Sequence, residues 1–130
     1  MLKTFNPPDM VQPASRYAQG VEVGPNARWL YVSGQIGVAP DGSVAQGLEA
    51  QFEQAFANIG TVLAAAGMGK TDIVKLTVFV TEPGAETLGV YRRTRDKWMG
   101  GHMAAATYLV VSGLAHADFL VEIEAVAAVN

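Results

Sequence analysis

Phe119-Leu120-Val121-Glu122-Ile123-Glu124-Ala125-Val126-Ala127-Ala128-Val129 closes the chain, and its alternation decides the fold. Successive side chains of a strand point to opposite faces. Val121, Ile123, Ala125 and Ala127 therefore share one face, and Leu120, Glu122, Glu124 and Val126 the other. The first set is wholly apolar and calls for helices packed on it. The second is half apolar, so it predicts cover from outside the monomer, by self-association.

Outward from this strand, residues 105–112 form another, joined to it by a loop around Gly113 and His116. Residues 86–98 read as a helix burying Leu88, Tyr91 and Trp98, with Gly100-Gly101 ending it. Residues 72–80 form a strand with Val74, Leu76, Val78 and Val80 on one face and Ile73, Lys75, Thr77 and Phe79 on the other. A longer helix is predicted over residues 45–66. Its stripe is Leu48, Phe52, Phe56, Ile59 and Leu63 at spacings of three and four, and Gly67 stands where a left-handed stop belongs. Gly60 within it costs about 1 kcal/mol against alanine, which points to a close neighbour. Residues 17–23 and 29–33 read as two strands. The turn Gly24-Pro25-Asn26-Ala27 between them predicts an antiparallel hairpin. The lead-in through Pro13 is irregular, with room for a short edge strand.

The order β-β-α-β-α-β-β predicts one α+β domain over residues 1–130, a mixed sheet with two helices on one face. Half of the 130 residues are hydrophobic and 16% are charged, which excludes disorder. The net charge of -3 and the lack of a basic stripe argue against a nucleic-acid partner. With no cysteine, disulfides and thiol chemistry are excluded. No signal-peptide pattern opens the chain, and no apolar run reaches the roughly 18 residues of a membrane helix. A cytoplasmic protein with no membrane partner is expected.

Glu122 and Glu124 share one strand face with Cα atoms roughly 6.5–7 Å apart, one route to an acid or base of shifted pKa; a salt-bridged or solvated pair is the plainer reading. Ser33-Gly34-Gln35 ends a strand, where glycine permits close backbone approach and serine offers a hydroxyl. His102 and His116 lie in loops without metal-ligand spacing. The stretch Gly67-Met68-Gly69-Lys70-Thr71 lacks phosphate-loop spacing and leads into a strand.

Taken in order, Tyr17-Ala18-Gln19-Gly20-Val21, Val32-Ser33-Gly34-Gln35-Ile36-Gly37, Asp72-Ile73-Val74-Lys75-Leu76-Thr77-Val78-Phe79 and Val121 to Ala127 resemble the RidA (YjgF) family, which also carries the label L-PSP endoribonuclease. The resemblance spans essentially the whole chain. It implies a chorismate-mutase-like fold and a homotrimer with clefts between subunits. It also implies hydrolysis of small enamines and imines to a keto acid and ammonia, with no metal or organic cofactor. By the same resemblance Glu122 would position water, and Tyr17, Ser33, Gly34 and Thr107 would line the pocket.

One departure is chemical. The family's Pro-Ala-Arg-[Ser/Thr] motif, whose arginine grips the substrate carboxylate, reads Ala104-Ala105-Ala106-Thr107 here. A guanidinium–carboxylate pair is worth about 1.5–3 kcal/mol, and alanine supplies neither charge nor donor. Two further departures are a loop over Leu114–Phe119 one residue longer, and Tyr91 and Arg92 near the place of an asparagine. The expected reaction is therefore hydrolysis of a small imine or enamine other than 2-iminopropionate. His102 and Arg95 are the candidate substitutes for the missing cation. The alternatives are a non-catalytic ligand-binding trimer and an endoribonuclease. The acidic charge and the absence of a catalytic histidine pair weigh against the last.

Overall fold

The chain's last strand lies inside its main sheet, between strands that come far earlier in the sequence. The structure, a computed structural model, describes residues 2–130. Its elements are β1 (Leu2–Phe5), β2 (Gly20–Val23), β3 (Arg28–Ile36), α1 (Leu48–Ala65), a 3-10 turn (Lys70–Asp72), β4 (Ile73–Val80), α2 (Ala85–Met99), β5 (Ala105–Val110) and β6 (Val121–Val129). The main sheet runs β3-β6-β4-β5. β6 is antiparallel to both neighbours, and β5 is parallel to β4. A parallel pair needs a crossover, which α2 supplies between β4 and β5.

The expected hairpin between the second and third strands does not form. β2 pairs with β1 in a separate two-stranded sheet, whereas β3 pairs with β6. A turn signal fixes only where the chain bends; β3 finds a longer partner in the nine-residue β6 than the four-residue β2 could offer.

The face read as apolar is the buried one. Val121, Ile123, Ala125 and Ala127 meet Leu76, Val78 and Val80 from β4 and Phe52, Phe56, Ile59 and Leu63 from α1 in one core. Trp98 of α2 stacks on Phe56 with ring centroids 5.1 Å apart. The absent side chain at Gly60 makes room for it, since a Cβ there would meet the Trp98 ring at 3.3 Å. Gly67 takes a φ of 69° and ends α1 as expected, and Arg28 reinforces that end by donating to Ala66 O at 2.9 Å.

Two polar side chains of α1 pin the loops that flank the core. Gln51, only 2% exposed, donates to Asp118 O at 2.9 Å and accepts from the Leu120 N–H at 2.8 Å. Asn58 donates to Ile36 O and Val38 O, both at 3.0 Å. Removing that amide takes the donor from Val38 O and leaves Ile36 O with the Val38 N–H at 2.8 Å. Asn58→Ala is expected to cost about 1–2 kcal/mol, read as a lowered midpoint in urea with an unchanged slope.

Candidate functional site

Glu122 sits on the open face of β6, opposite Phe79 of β4 and Ile36 of β3. The β3–β6 register slips by one residue between Val32 and Gln35, so Ser33 and Gly34 form a bulge. There the Glu122 side chain lies directly over Gly34. A Cβ built on Gly34 would fall on the carboxylate, 2.7 Å from Cδ and 2.9 Å from Cγ. Bare backbone beneath a carboxylate is what allows this approach. Ser33 opens onto a neighbouring hollow of about 240 Å³, shared with Tyr31, Lys75, Thr77 and Glu124.

Tyr17 and Ala106 belong to a different place. The Ala18 N–H donates to Ala104 O at 3.0 Å, and Ala18 bridges Ala105, which fastens the segment before β2 to the start of β5. Ala106 and Tyr108 alternate with Thr107, so they share the face of β5 turned toward α2, in register with Leu76 and Val78. They line a cavity of about 190 Å³ with Tyr17, Tyr91, Arg92 and Arg95. Thr107 points the other way, to the open face, where it accepts a hydrogen bond from Lys75 Nζ at 2.9 Å.

The candidate residues thus form two groups, Ser33, Gly34 and Glu122 on β3 and its inner neighbour β6, and Tyr17 and Ala106 beside and on the edge strand β5. β3 and β5 are separated by β6 and β4. Three inter-strand steps of about 4.8 Å put them about 14 Å apart. The residues lining the cavity of Tyr17 and Ala106 include neither Glu122 nor Gly34.

The second group is not without a cation. Ala106 does turn its methyl into the cavity, but Arg95 and Arg92 line the same space. The expectation that the pocket loses its positive charge with the β5 arginine is corrected by the helix beside it. Arg95 has a side chain only 4% exposed. Its Nε donates to Asp96 Oδ1 at 3.0 Å, and its guanidinium carbon lies 5.1 Å from the centre of the Tyr91 ring. Tyr91 and Tyr108 are in turn tilted against each other with centroids 5.2 Å apart. Burial raises the pKa of the Tyr91 phenol, with Arg95 pulling part of the way back. Burial also raises that of Tyr108, with Tyr91 adding to it. Both phenols therefore remain O–H donors at neutral pH.

His102, the other candidate substitute, is elsewhere. Its Nε2 lies 2.8 Å from Ile73 O, a backbone tie at the start of β4. His116 stays exposed, 3.8 Å from Asp118. Sequence reasoning missed Tyr108, although its place two residues after Ala106 on a strand puts it on the same face. It read Tyr91 as buried on α2 and near the place of the family's asparagine, and the structure shows its ring packed in the core and bordering the cavity.

The chain matches the family described as endoribonuclease L-PSP over residues 8–129. It is 35% identical to the 2-iminobutanoate/2-iminopropanoate deaminase of Salmonella typhimurium, over 97% of this chain and 94% of that protein. A RutC family protein of Aquifex aeolicus is 34% identical over 82 residues, 62% of this chain and 63% of that protein. Among solved structures, that of the Rid family protein YyfB from Yersinia pestis, itself of unknown function, superposes with a TM-score of 0.89. The two are 29% identical over 98% of each chain.

Proposed function

Because the chain belongs to the RidA/YjgF (endoribonuclease L-PSP) family, which includes 2-iminobutanoate/2-iminopropanoate deaminases, we propose that it hydrolyses a small imine or enamine in a cleft completed by a second copy of itself. The observation that carries this reading is the Glu122 carboxylate held over the bare backbone of Gly34. A carboxylate fixed beside an open face can accept the proton of a water as that water attacks the imine carbon. The C–O bond forms, the C=N electron pair goes to nitrogen, and the proton taken by Glu122 is passed on to that nitrogen. Collapse of the carbinolamine then gives a carbonyl compound and ammonia, so one water is consumed and one ammonia released.

The separation of the two groups supports an assembly in which one chain brings Glu122, Ser33 and Gly34 to the Tyr17 and Ala106 edge of the next. A ring of three such contacts closes as a homotrimer. The half-apolar open face, with Tyr31 75% exposed, is consistent with such burial. Ala106 brings no charge of its own, so the substrate of this reading is an imine or enamine other than 2-iminopropionate.

The test is to add purified protein to amino-acid oxidase reactions and follow imine decay across many amino acids. Acceleration beyond spontaneous hydrolysis on at least one of them is the expected outcome. Decay unchanged on every one would overturn the proposal and leave a ligand-binding trimer as the better reading. RNA breakdown that persists through stringent purification and through loss of Glu122 would favour the endoribonuclease instead.

A further inference from the structure

Glu122 is the second residue of β6, and the chain that leads to it is exposed at nearly every position over residues 112–118. A strand end fed by an exposed loop is where a sheet opens first. One buried side chain closes this gap. The Leu120 N–H donates to Gln51 Oε1 at 2.8 Å, and Gln51 Nε2 donates to Asp118 O at 2.9 Å and to Ala45 O at 3.2 Å. Both N–H bonds and the carbonyl of this amide are therefore engaged, and turning it breaks all three. The Leu120 carbonyl is held from the other side by the Thr81 N–H at 3.1 Å. Gln51 also meets the second half of the seat. Gly37, three residues past Gly34, packs so closely on it that a Cβ there would lie 2.7 Å from Gln51 Cα. Ile36 and Glu122 are partners in the register between these two anchor points.

We infer that Gln51 is a positioning residue: it clamps the start of β6 and the end of β3 to one turn of α1, and so fixes the Glu122 carboxylate over the bare backbone of Gly34. The effect on turnover rests on the deaminase reading above; the placement of the carboxylate does not. The residue type follows from the contacts. The Leu120 N–H needs an acceptor, while Asp118 O and Ala45 O need donors, and an amide supplies both. Glutamate has the same length and can accept from Leu120, but its ionised form turns negative charge on two carbonyls. Methionine fills the same volume against Gly37 and offers no strong hydrogen bond. Gln51 is only 2% exposed, so lost bonds leave buried backbone groups unpaired and the end of the strand free to shift.

The test compares Gln51→Met and Gln51→Glu with Leu63→Ala, a core truncation about three turns further along α1, in the full-length protein well below each melting midpoint. Gln51→Met is expected to lower kcat for imine hydrolysis roughly ten- to a hundred-fold, the loss that a displacement of about 1 Å brings. KM should hardly change, because the residues lining the Tyr17 and Ala106 cavity do not include Gln51. Leu63→Ala should leave both constants near the wild-type values. Gln51→Glu serves if Gln51→Met does not fold. Its kcat, as a fraction of the wild-type value, should fall as pH rises, since the protonated carboxyl donates to Asp118 O and the ionised one cannot. NMR of the Glu122 carboxyl carbon and the Gly34 amide gives a readout that needs no turnover. Both resonances should move in Gln51→Met and stay in place in Leu63→Ala. Resonances unmoved by Gln51→Met, a wild-type kcat in that variant, or an equal loss in Leu63→Ala overturns the proposal. A protein whose two resonances move with Gln51 but which hydrolyses nothing defeats the deaminase reading alone. One that hydrolyses imines just as fast after Gln51→Met defeats this one alone.

Discussion

Glu122→Gln is expected to lower imine turnover about a hundred- to ten-thousand-fold, the range by which a positioned general base contributes, with little change in thermal stability. The amide keeps the size and place of the carboxylate but cannot take a proton from water. Gly34→Ala should reach a comparable loss by a steric route. Its new Cβ would fall on the Glu122 carboxylate, which is the flexible end of a side chain, so the carboxylate moves and the backbone does not. The melting temperature should therefore shift by only a few degrees while activity collapses. The measurement is single-turnover imine decay beside a thermal melt for both variants. Turnover retained in Gly34→Ala would show that the seat of Glu122 over the bulge is irrelevant to the reaction.

Gly37→Ala should act on the fold instead. A Cβ there would lie 2.7 Å from both Cα and Cβ of Gln51 and 2.8 Å from its Cγ. The first of these is helix backbone, which cannot rotate away, so the loop after β3 must lift off α1. That lift strains the Ala45 N–H bond to Gly37 O, at 2.8 Å, and the Asn58 bonds to the carbonyls on either side. It also disturbs Gln51, which ties α1 to the backbone just before β6. Overpacking typically costs about 1–3 kcal/mol, and against helix backbone the upper end is expected, a fall in Tm on the order of 10 °C for a domain of this size. Urea unfolding checks it. An unchanged midpoint would mean that the loop accommodates a methyl group that the described packing excludes.

The contrast between these two glycines bears on what could be read in advance. Gly34 stood out in the sequence because it follows Ser33 at a strand end. Gly37 stood only as the last residue of the stretch from Val32, and nothing nearby in sequence foretold that Gln51 would press against it. The two helices, the strands from β3 onward and the buried face of β6 were legible because periodicity is a local property. The pairing of β2 was not, because any exposed strand edge can satisfy any other.

The site divides in the same way. Glu122, Tyr17, Ser33, Gly34 and Ala106 were named as candidates through family resemblance, and so was the absence of the β5 arginine. Arg95 could be named as a substitute but not chosen over His102. Both are polar residues near the motif, and only packing put one of them in the cavity with two phenols and tied the other to Ile73 O.

The order of amino acids by itself determined the elements and the face each strand buries, since these depend on neighbours a few residues away. Tertiary structure alone decided that the last strand enters the middle of the sheet, that the candidate residues fall into two separate groups, and that Arg95 of α2 lines the cavity beside Ala106. Those outcomes follow from contacts between residues distant along the chain, which compete for the same strand edges and the same volume, and local sequence does not rank such competitors.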